Sequence, residues 1–288
     1  MRRFDYAAPT TIAEACQLLV SNQNARPLAG GTDLLIQMKE RGRPVPLLVS
    51  LRWVEELSSL SANGQLQLGS MVTCGQIAWS DEIKKGWPGL VDGADLVGSV
   101  QICNKGTIGG NVCNAAPSAD VVPSLISLGA TARIAGPSGQ RSLPLQELFR
   151  GPGQTALGAG EILVGVDVPK GAAGSGSAYL RHVPRREMDI AVVGVAVGLQ
   201  LDGDGRTVKD ARVTLASVAP TPIRSAQAEQ ALIGSQLSDE TLRRAGEGAA
   251  ADARPISDVR ASADYRRELL KVYTRRVGQI AYQRARGS

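Results

Sequence analysis

The most informative stretch of the chain is Gly106-Thr107-Ile108-Gly109-Gly110-Asn111-Val112-Cys113-Asn114-Ala115-Ala116-Pro117-Ser118-Ala119-Asp120. A second stretch, Pro27-Leu28-Ala29-Gly30-Gly31-Thr32-Asp33-Leu34, also has a Gly-Gly pair beside a hydroxyl residue and a short polar side chain. Glycines let a backbone approach a ligand closely and aim successive N–H groups at an anion. The two stretches lie about 75 residues apart, and we expect them to hold the two halves of a pyrophosphate.

Each Gly-Gly pair taken alone is also typical of an ordinary tight turn. Neither stretch reads G-x-G-x-x-G followed by an acidic residue about 20 positions on, so the sequence does not support a Rossmann site. Neither contains the G-x-x-x-x-G-K-[ST] pattern of a P-loop. The pyrophosphate hypothesis therefore depends on the two turns acting together.

The first glycine turn lies inside a βαβ-like unit. A short strand at 25–29 enters the turn, and the helix that follows ends at Gly42 and Pro44. A second buried strand is predicted at 47–51. Because the turn precedes a helix, its N–H groups lie where an anion is favoured.

The rest of the pattern predicts an α+β fold. Asn63-Gly64 between alternating segments indicates a hairpin, and the Gly-rich segment 171–176 is typical of a linker. We place a domain boundary near residue 172. The linker precedes a hairpin around Asp202-Gly203-Asp204-Gly205 and three closing helices. Helices are predicted at 10–20, 73–98, 120–128, 225–233, 238–251 and 261–285, and strands at 131–135, 161–168, 191–201 and 208–218.

The charge pattern argues against nucleic acid as a partner. The formal net charge is +5, but the basic residues are spread along the chain apart from one run near the C-terminus. That run is typical of a solvated helix face, and a surface facing a protein partner is the alternative. Its members are Arg266, Arg267, Lys271, Arg275, Arg276, Arg284 and Arg286.

The cysteines and apolar runs indicate a protein without a membrane span, in a reducing cytoplasm. No C-x-x-C pair occurs, so zinc and iron–sulfur ligation on this chain are not expected, and we predict no metal site. The N-terminus lacks the apolar run of a leader, and no stretch approaches the ~20 apolar residues of a membrane helix. The four cysteines are Cys16, Cys74, Cys103 and Cys113.

In order and separation, the two glycine stretches resemble the FAD-pyrophosphate motifs of the medium, flavin-binding subunits of the xanthine dehydrogenase and carbon monoxide dehydrogenase family. The start of the chain, 4–15, resembles the N-terminus of that family. Glu161-Ile162-Leu163 with 166–169 resembles its last flavin-domain strand. The segment Arg185-Arg186-Glu187 with Asp189-Ile190-Ala191 resembles the opening of its C-terminal domain. The resemblance covers nearly the whole chain.

The resemblance implies a two-subdomain FAD-binding domain of the vanillyl-alcohol-oxidase/xanthine-dehydrogenase type over 1–172, with subdomains of about 1–55 and 56–172. A C-terminal domain with a small antiparallel sheet and helices is implied over 177–288. The implied cofactor-binding residues are Pro27, Leu28, Ala29, Gly30, Gly31, Thr32, Asp33, Leu34, Gly106, Thr107, Gly109, Gly110, Asn111, Cys113, Asn114, Ala119, Asp120, Leu163 and Arg181.

Several of these positions have a second interpretation. Asp120 suits either a hydrogen bond to the cofactor's hydroxyls or a plain helix N-cap. Leu163 is either an apolar flavin contact or a core leucine. Arg181 matches a basic residue near the isoalloxazine, and a surface arginine is the alternative. Asp189 is a weaker candidate for tuning the flavin potential, and His182 is expected to be a surface residue.

The function implied is electron transfer within a molybdenum hydroxylase, with no catalytic side chain on this chain. FAD here would receive electrons from [2Fe–2S] clusters on a small subunit, while a large subunit carries the molybdopterin cofactor. The implied assembly is a heterotrimer or a dimer of heterotrimers. A stand-alone FAD-dependent oxidase or reductase and a flavin-free scaffold subunit are the alternatives. The substrate and the final electron acceptor stay open.

Overall fold

The first unit of the molecule is a three-stranded parallel sheet with two helices. The computed structural model describes residues 2–40, 42, 44–185 and 188–287. The elements of this unit are β1 (Asp5–Ala7), α1 (Ile12–Ser21), β2 (Arg26–Leu28), α2 (Leu34–Glu40) and β3 (Leu47–Ser50). The strand order is β1-β3-β2, and both pairings are parallel. The βαβ unit predicted around the first glycine turn is therefore confirmed.

The second unit contains a five-stranded antiparallel sheet in the order β4-β5-β10-β6-β7. The predicted hairpin at Asn63-Gly64 is confirmed, and Gly64 takes a φ of 77° between β4 and β5. A bulge in β10 lies between Leu163 and Gly165. Including a separate two-stranded ribbon, β8 with β9, the strands are β4 (Leu60–Ser61), β5 (Gln65–Gly69), β6 (Thr131–Gly136), β7 (Gly139–Pro144), β8 (Phe149–Gly151), β9 (Gln154–Thr155) and β10 (Ile162–Pro169).

Six short helices pack with this sheet around one apolar core. The helical character predicted over 73–98 and 120–128 is confirmed. The core includes Leu66, Leu90 and Leu125, all fully buried, and each such side chain contributes about 1.5–3 kcal/mol through burial. The helices are α3 (Cys74–Ala78), α4 (Asp81–Gly86), α5 (Pro88–Ala94), α6 (Val100–Cys103), α7 (Ile108–Asn114) and α8 (Val121–Ser127), and 3-10 turns occur at Glu55–Ser58 and Leu145–Leu148.

The C-terminal unit is a four-stranded antiparallel sheet in the order β11-β12-β13-β14, covered by helices. The predicted hairpin and the three closing helices are confirmed. Within the described residues, no helix has both the length and the apolar character needed to cross a bilayer. The elements are β11 (Ser175–His182), β12 (Val193–Leu201), β13 (Val208–Ala216), β14 (Ile223–Arg224), α9 (Ala226–Leu232), α10 (Asp239–Asp252) and α11 (Ala263–Arg286).

The linker predicted over 171–176 is wrong at its last two residues, because β11 begins at Ser175. Gly176 serves close packing rather than flexibility. A Cβ atom at this position would lie 2.2 Å from the carbonyl oxygen of Ala281. The missing side chain therefore allows α11 to lie directly against β11.

The basic run on α11 is not uniformly a solvated face. Arg266 is buried, and its guanidinium donates to the carbonyl oxygen of Val192 and to the carboxylate of Asp258. Arg284 is half-buried and is part of an interface described below. The remaining members are half-buried or exposed, so the expectation of a solvated face holds for them and is wrong for Arg266.

The C-terminal unit is joined to the rest of the molecule by a polar contact at α5. The carboxylate of Asp92 accepts two hydrogen bonds from the guanidinium of Arg284, at 2.6 and 3.0 Å. It also accepts one from the backbone N–H of Tyr179 at 3.1 Å. Arg284 donates in addition to the carbonyl oxygen of Ser177, and the Ser177 hydroxyl accepts from the N–H of Gly89. One carboxylate thus connects α5, β11 and α11.

Replacing Asp92 by Ala is expected to lower the free energy of unfolding by about 1–3 kcal/mol, because two donors at the interface lose their acceptor. Urea unfolding followed by circular dichroism measures this loss. Asp210→Ala is the matched control, since the exposed carboxylate of Asp210 lies 3.9 Å from Arg212 and contributes under about 0.5 kcal/mol. Equal losses in the two variants would show that Asp92 does not join the units.

Candidate functional site

The two glycine turns lie against each other. A Cβ atom on Gly30 would lie 1.9 Å from the carbonyl oxygen of Lys105 and 3.3 Å from the Cα atom of Gly106. A Cβ atom on Gly106 would in turn lie 3.8 Å from the hydroxyl of Thr32. The structure therefore brings together the two stretches that the sequence singled out, and the absence of a side chain at Gly30 makes their approach possible.

The first turn presents backbone donors that the protein does not use. Among the described residues, no acceptor is hydrogen-bonded to the N–H groups of 30–33. The turn is fixed from its carbonyl side, because the N–H of Leu35 donates to the carbonyl of Gly31 at 3.1 Å. Gly31 has a φ of 77°, a conformation that favours glycine. A run of unpaired N–H groups of this kind suits an anion.

The second turn has a different construction. Thr107 caps α7 by accepting a hydrogen bond on its side-chain oxygen from the N–H of Gly110 at 3.0 Å. The N–H of Asn111 donates to the Thr107 carbonyl, and the N–H of Gly109 donates to the carbonyl of Ser70, both at 2.9 Å. Their N–H groups are therefore engaged within the protein. The expectation that both turns offer free backbone donors is wrong for the second turn.

The second turn instead lets a ligand approach its backbone closely, and it presents one polar side chain. A Cβ atom on Gly110 would lie 3.1 Å from the Thr107 hydroxyl, and the space on this side of the glycine is otherwise open. The side-chain oxygen of Asn111 is buried, and no hydrogen-bond partner for it lies in the part of the chain that the structure describes. A buried polar atom without a partner is unfavourable by about 1–3 kcal/mol, which a ligand in contact with it would relieve.

A side-chain bridge connects the helices that follow the two turns. The amide of Gln37 on α2 donates to the side-chain oxygen of Asn114 on α7 at 3.2 Å. The neighbouring Cys113 is half-buried, and burial raises the pKa of its thiol to about 12. Cys113 is therefore a protonated thiol at neutral pH.

Asp120 lies at the seam between α8 and β11, where it is surrounded by donors. Its carboxylate accepts from the hydroxyl of Tyr179 at 2.8 Å and from the guanidinium of Arg181 at 2.5 Å. The side chains of Arg181 and Asp120 are 5% and 9% exposed, so this is a buried ion pair. Burial raises the pKa of Asp120 to about 6, although Arg181 and Tyr179 both act to lower it.

The second interpretation is met only in part for Asp120 and not at all for Arg181. Asp120 occupies the N-cap position of α8, but no helix N–H donates to its side chain. Arg181 is not a surface arginine. Its Nε atom is buried, and among the described residues it has no hydrogen-bond partner. Like the oxygen of Asn111, it is a polar atom that suits an external ligand.

The other predicted positions are distributed around the turns and the core. Leu163 is buried in the core beside its strand partner Ile134, as a core leucine would be. Asp33 is exposed as a residue, yet partial burial raises the pKa of its carboxyl. Pro27 is exposed and Ala119 is buried. The half-buried positions are Leu28, Ala29 and Leu34.

The end of β11 and the segment after it match the predictions from the sequence only in part. His182 is half-buried rather than on the surface, with its ring edge-on to Tyr265 and Tyr273. The backbone N–H groups of Arg185 and Ile190 donate to the carboxylate of Asp189. The hydrogen bond from the N–H of Ile190 is the main cause of the lowered pKa of the Asp189 carboxyl. Arg186 and Glu187, which carried part of the resemblance, lie outside the described residues.

Sequence reasoning missed Tyr179, Gln37 and Ser70, although all three contact residues that it predicted. Tyr179 and Arg181 are two positions apart, so they share one face of a strand. That signal was readable only if 175–182 had been recognised as a strand. Gln37 and Ser70 carried no signal, because nothing local marks which residues a turn will meet in the folded chain.

Two family models match the chain: one described as FAD binding domain in molybdopterin dehydrogenase over residues 2–171, and one described as CO dehydrogenase flavoprotein C-terminal domain over 178–281. The putative xanthine dehydrogenase FAD-binding subunit XdhB of Escherichia coli (strain K12) is 34% identical over 99% of each chain.

Solved structures agree with these matches. A chain of carbon monoxide dehydrogenase from Hydrogenophaga pseudoflava, in a form that lacks the Mo-pyranopterin moiety of the molybdenum cofactor, superposes with a TM-score of 0.94. It is 32% identical, with 98% of both chains covered. A chain of quinoline 2-oxidoreductase from Pseudomonas putida 86 gives a TM-score of 0.92 and 33% identity, covering 99% of this chain and 98% of that one.

Gly30→Ala is expected to force the two turns apart, because the contact of 1.9 Å is with a backbone oxygen that no rotamer change moves. We expect a loss of about 1–3 kcal/mol in unfolding free energy, together with loss of bound flavin. Gly86→Ala is the control, since no atom lies within 4 Å of a Cβ there. Thermal unfolding and flavin content measure both effects, and a Gly30→Ala variant that matched Gly86→Ala would contradict the close contact.

Asp120 is expected to make the stability of the fold depend on pH. The folded protein holds this proton with a pKa of about 6, against an ordinary value of 3.8. Raising the pH from about 4 to about 6 therefore removes up to about 3 kcal/mol of stability. Urea unfolding of wild type and Asp120→Asn across this range measures the effect. The unfolding free energy of Asp120→Asn minus that of wild type should increase with pH and level off above about pH 7. A difference that does not change with pH would exclude the raised pKa.

Proposed function

The chain belongs to the FAD-binding medium subunits of the xanthine dehydrogenase and carbon monoxide dehydrogenase family of molybdenum hydroxylases, and on that premise we propose how it acts. It is the electron-transfer subunit, which takes electrons from a [2Fe–2S] subunit and passes them to an external acceptor. FAD, when bound, supplies a centre that accepts electrons singly and stores two. The residues of this chain bind, orient and electrostatically tune that cofactor.

The observation that carries the proposal is the row of unpaired N–H groups at 30–33, in a turn that packs against a second glycine turn. A pyrophosphate carries two negative charges, and these N–H groups can stabilise them without a buried lysine. The second turn contributes the space beside Gly110, which lets a ligand approach its backbone. The unpartnered side-chain oxygen of Asn111 can only accept, so it suits a hydroxyl of the cofactor rather than a phosphate oxygen. We therefore assign the pyrophosphate mainly to the first turn, with the second turn supplying close approach.

The far end of the cofactor belongs near Arg181. Its buried Nε–H has no partner among the described residues, so it suits a carbonyl oxygen or ring nitrogen of a flavin. A cation there would stabilise negative charge on the reduced ring. Asn111 and Arg181 thus mark two parts of one extended site, one on each side of the proposed domain boundary near residue 172.

The chain is proposed to act within a larger assembly, a heterotrimer or a dimer of heterotrimers. A small iron–sulfur subunit and a large molybdopterin subunit are its expected partners. The side of α11 that carries Arg275 and Arg276 is exposed and is one surface to which they would bind. Four free thiols suit the reducing cytoplasm that we propose as its location.

The alternatives make different claims about the isolated chain. A stand-alone oxidase or reductase would turn over a small substrate without partners. A scaffold subunit would fold without flavin. The unpaired donors at 30–33 favour the FAD-binding interpretation over the scaffold, because such donors serve no purpose in a site that holds no ligand.

The test is a visible spectrum of the chain purified with whatever co-purifies from its native source, followed by acid release and identification of the flavin. We expect about one FAD per chain, iron–sulfur absorbance and two further subunits on a gel. Loss of the flavin in Gly30→Ala but not in Gly86→Ala would tie it to the turns. A well-folded wild type without flavin would overturn the proposal, and substrate turnover by the isolated chain would favour the oxidase.

A further inference from the structure

Asp120 is enclosed by groups from three elements besides its own. Tyr179 and Arg181 reach it from β11. From α3, the thiol of Cys74 is close enough that the charge of Asp120 adds to the rise of the Cys74 pKa, which burial mainly causes. From α5, the backbone of Gly93 packs on the Asp120 carbonyl, and a Cβ there would lie 2.6 Å from it. The carboxylate of the neighbouring Asp92 forms its ion pair with Arg284.

We propose that Tyr179 is a positioning residue for the flavin: by donating its hydroxyl to Asp120, it keeps that carboxylate charged and paired, and so balances the cation of Arg181 at the cofactor. The inference rests on the proposed function, since it places Arg181 beside the flavin. It adds a residue that no sequence motif marks.

The geometry holds the Tyr179 hydroxyl in one place. Tyr179 is 1% exposed, and its backbone N–H is bonded to Asp92. Its hydroxyl lies over Gly194 on β12, where a Cβ atom would be 2.6 Å away. The ring has no room to swing aside, so the hydroxyl stays aimed at Asp120 as long as β11 stays packed on α8.

The electrostatics give this fixed donor its effect. Burial raises the pKa of Asp120 to about 6, and the hydrogen bonds from Tyr179 and Arg181 oppose that rise. Removing one of two donors raises the pKa further, toward neutral pH. A larger fraction of Asp120 is then protonated at neutral pH, and the positive charge of Arg181 loses part of its counter-charge.

The consequence for a bound flavin has a definite sign. An unbalanced cation near the ring favours the reduced, more negative flavin, and so makes its midpoint potential more positive. In Tyr179→Phe this positive shift of the midpoint potential should be present at neutral pH. It should disappear as the pH rises and Asp120 ionises again.

The experiment measures the midpoint potential of FAD bound to the full chain, as a function of pH, for wild type and Tyr179→Phe. Tyr273→Phe is the matched control, because that hydroxyl is hydrogen-bonded to His182 and not to Asp120. We expect a positive shift for Tyr179→Phe at neutral pH that fades under alkaline conditions, and no shift for the control. In an Asp120→Asn background, Tyr179→Phe should add nothing further.

Three outcomes would overturn the inference. They are a potential for Tyr179→Phe equal to that of wild type at all pH values, a shift of the same size at neutral and alkaline pH, and an undiminished shift in the Asp120→Asn background. If Tyr179→Phe does not fold, Asp120→Asn alone must raise the potential across the whole pH range, or the inference fails. A wild type that binds no FAD would instead refute the proposed function, so the two failures are distinguishable.

Discussion

The contact of Gly30 with the carbonyl oxygen of Lys105 is the constraint on which the candidate site depends. It joins the parallel three-stranded unit to the helices of the second unit at a distance that excludes any side chain. Because the two backbones touch, the unpaired N–H groups of 30–33 belong to a turn that lies directly against the second turn. The same contact leaves Thr32 beside Gly106, so the two turns form one surface built almost wholly of backbone.

A second contact, between α8 and β11, depends on a buried ion pair rather than on close backbone packing. Removing a carboxylate and a guanidinium from water is expensive, and a close ion pair with further hydrogen bonds is needed to offset it. Asp120 receives such bonds from Arg181 and Tyr179, yet burial still dominates and raises its pKa. Tyr179 takes part in two of the polar contacts between the units, through its N–H to Asp92 and its hydroxyl to Asp120. The position of Arg181, which we propose to lie beside the flavin, therefore depends on how the C-terminal unit packs against α8.

Much of the fold of this FAD-binding subunit was readable from the sequence, because its strands and long helices carry strong local signals. Asn63-Gly64, the turn at 202–205 and the apolar runs of β12 and β13 each specify their structure through neighbouring residues. Helix α7 was missed because two glycines weaken its helical signal by about 1 kcal/mol each, and the Thr107 cap compensates only in the folded chain.

What stayed unreadable depends on contacts between distant segments. The start of β11 looked like a flexible linker because Gly176 is needed for packing against α11. The bonding of Asp120 looked like a helix cap because its true partners are about 60 positions away. Likewise, the N–H group of Gly109 looked free because its acceptor, the carbonyl of Ser70, is distant in sequence. The N–H groups of Gly110 and Asn111 looked free because α7, in which both bond to Thr107, was not predicted. The motif is enough to name candidate residues for the site. It does not show which of their donor and acceptor atoms stay free of partners in the folded chain.

The ion pair of Asp92 with Arg284 has a consequence for the order of assembly during synthesis. The two residues are 192 positions apart, so at 5–20 residues per second the ribosome needs roughly 10 to 40 s to deliver the second partner. The second glycine turn ends at Asp120, only 28 positions after Asp92. For most of that interval both turns have therefore been synthesised, while the face of α5 that receives Arg284 is still uncovered. The nascent chain can therefore bring its two glycine turns together before Arg284 is available to pair with Asp92, and the polar contact at α5 is completed last.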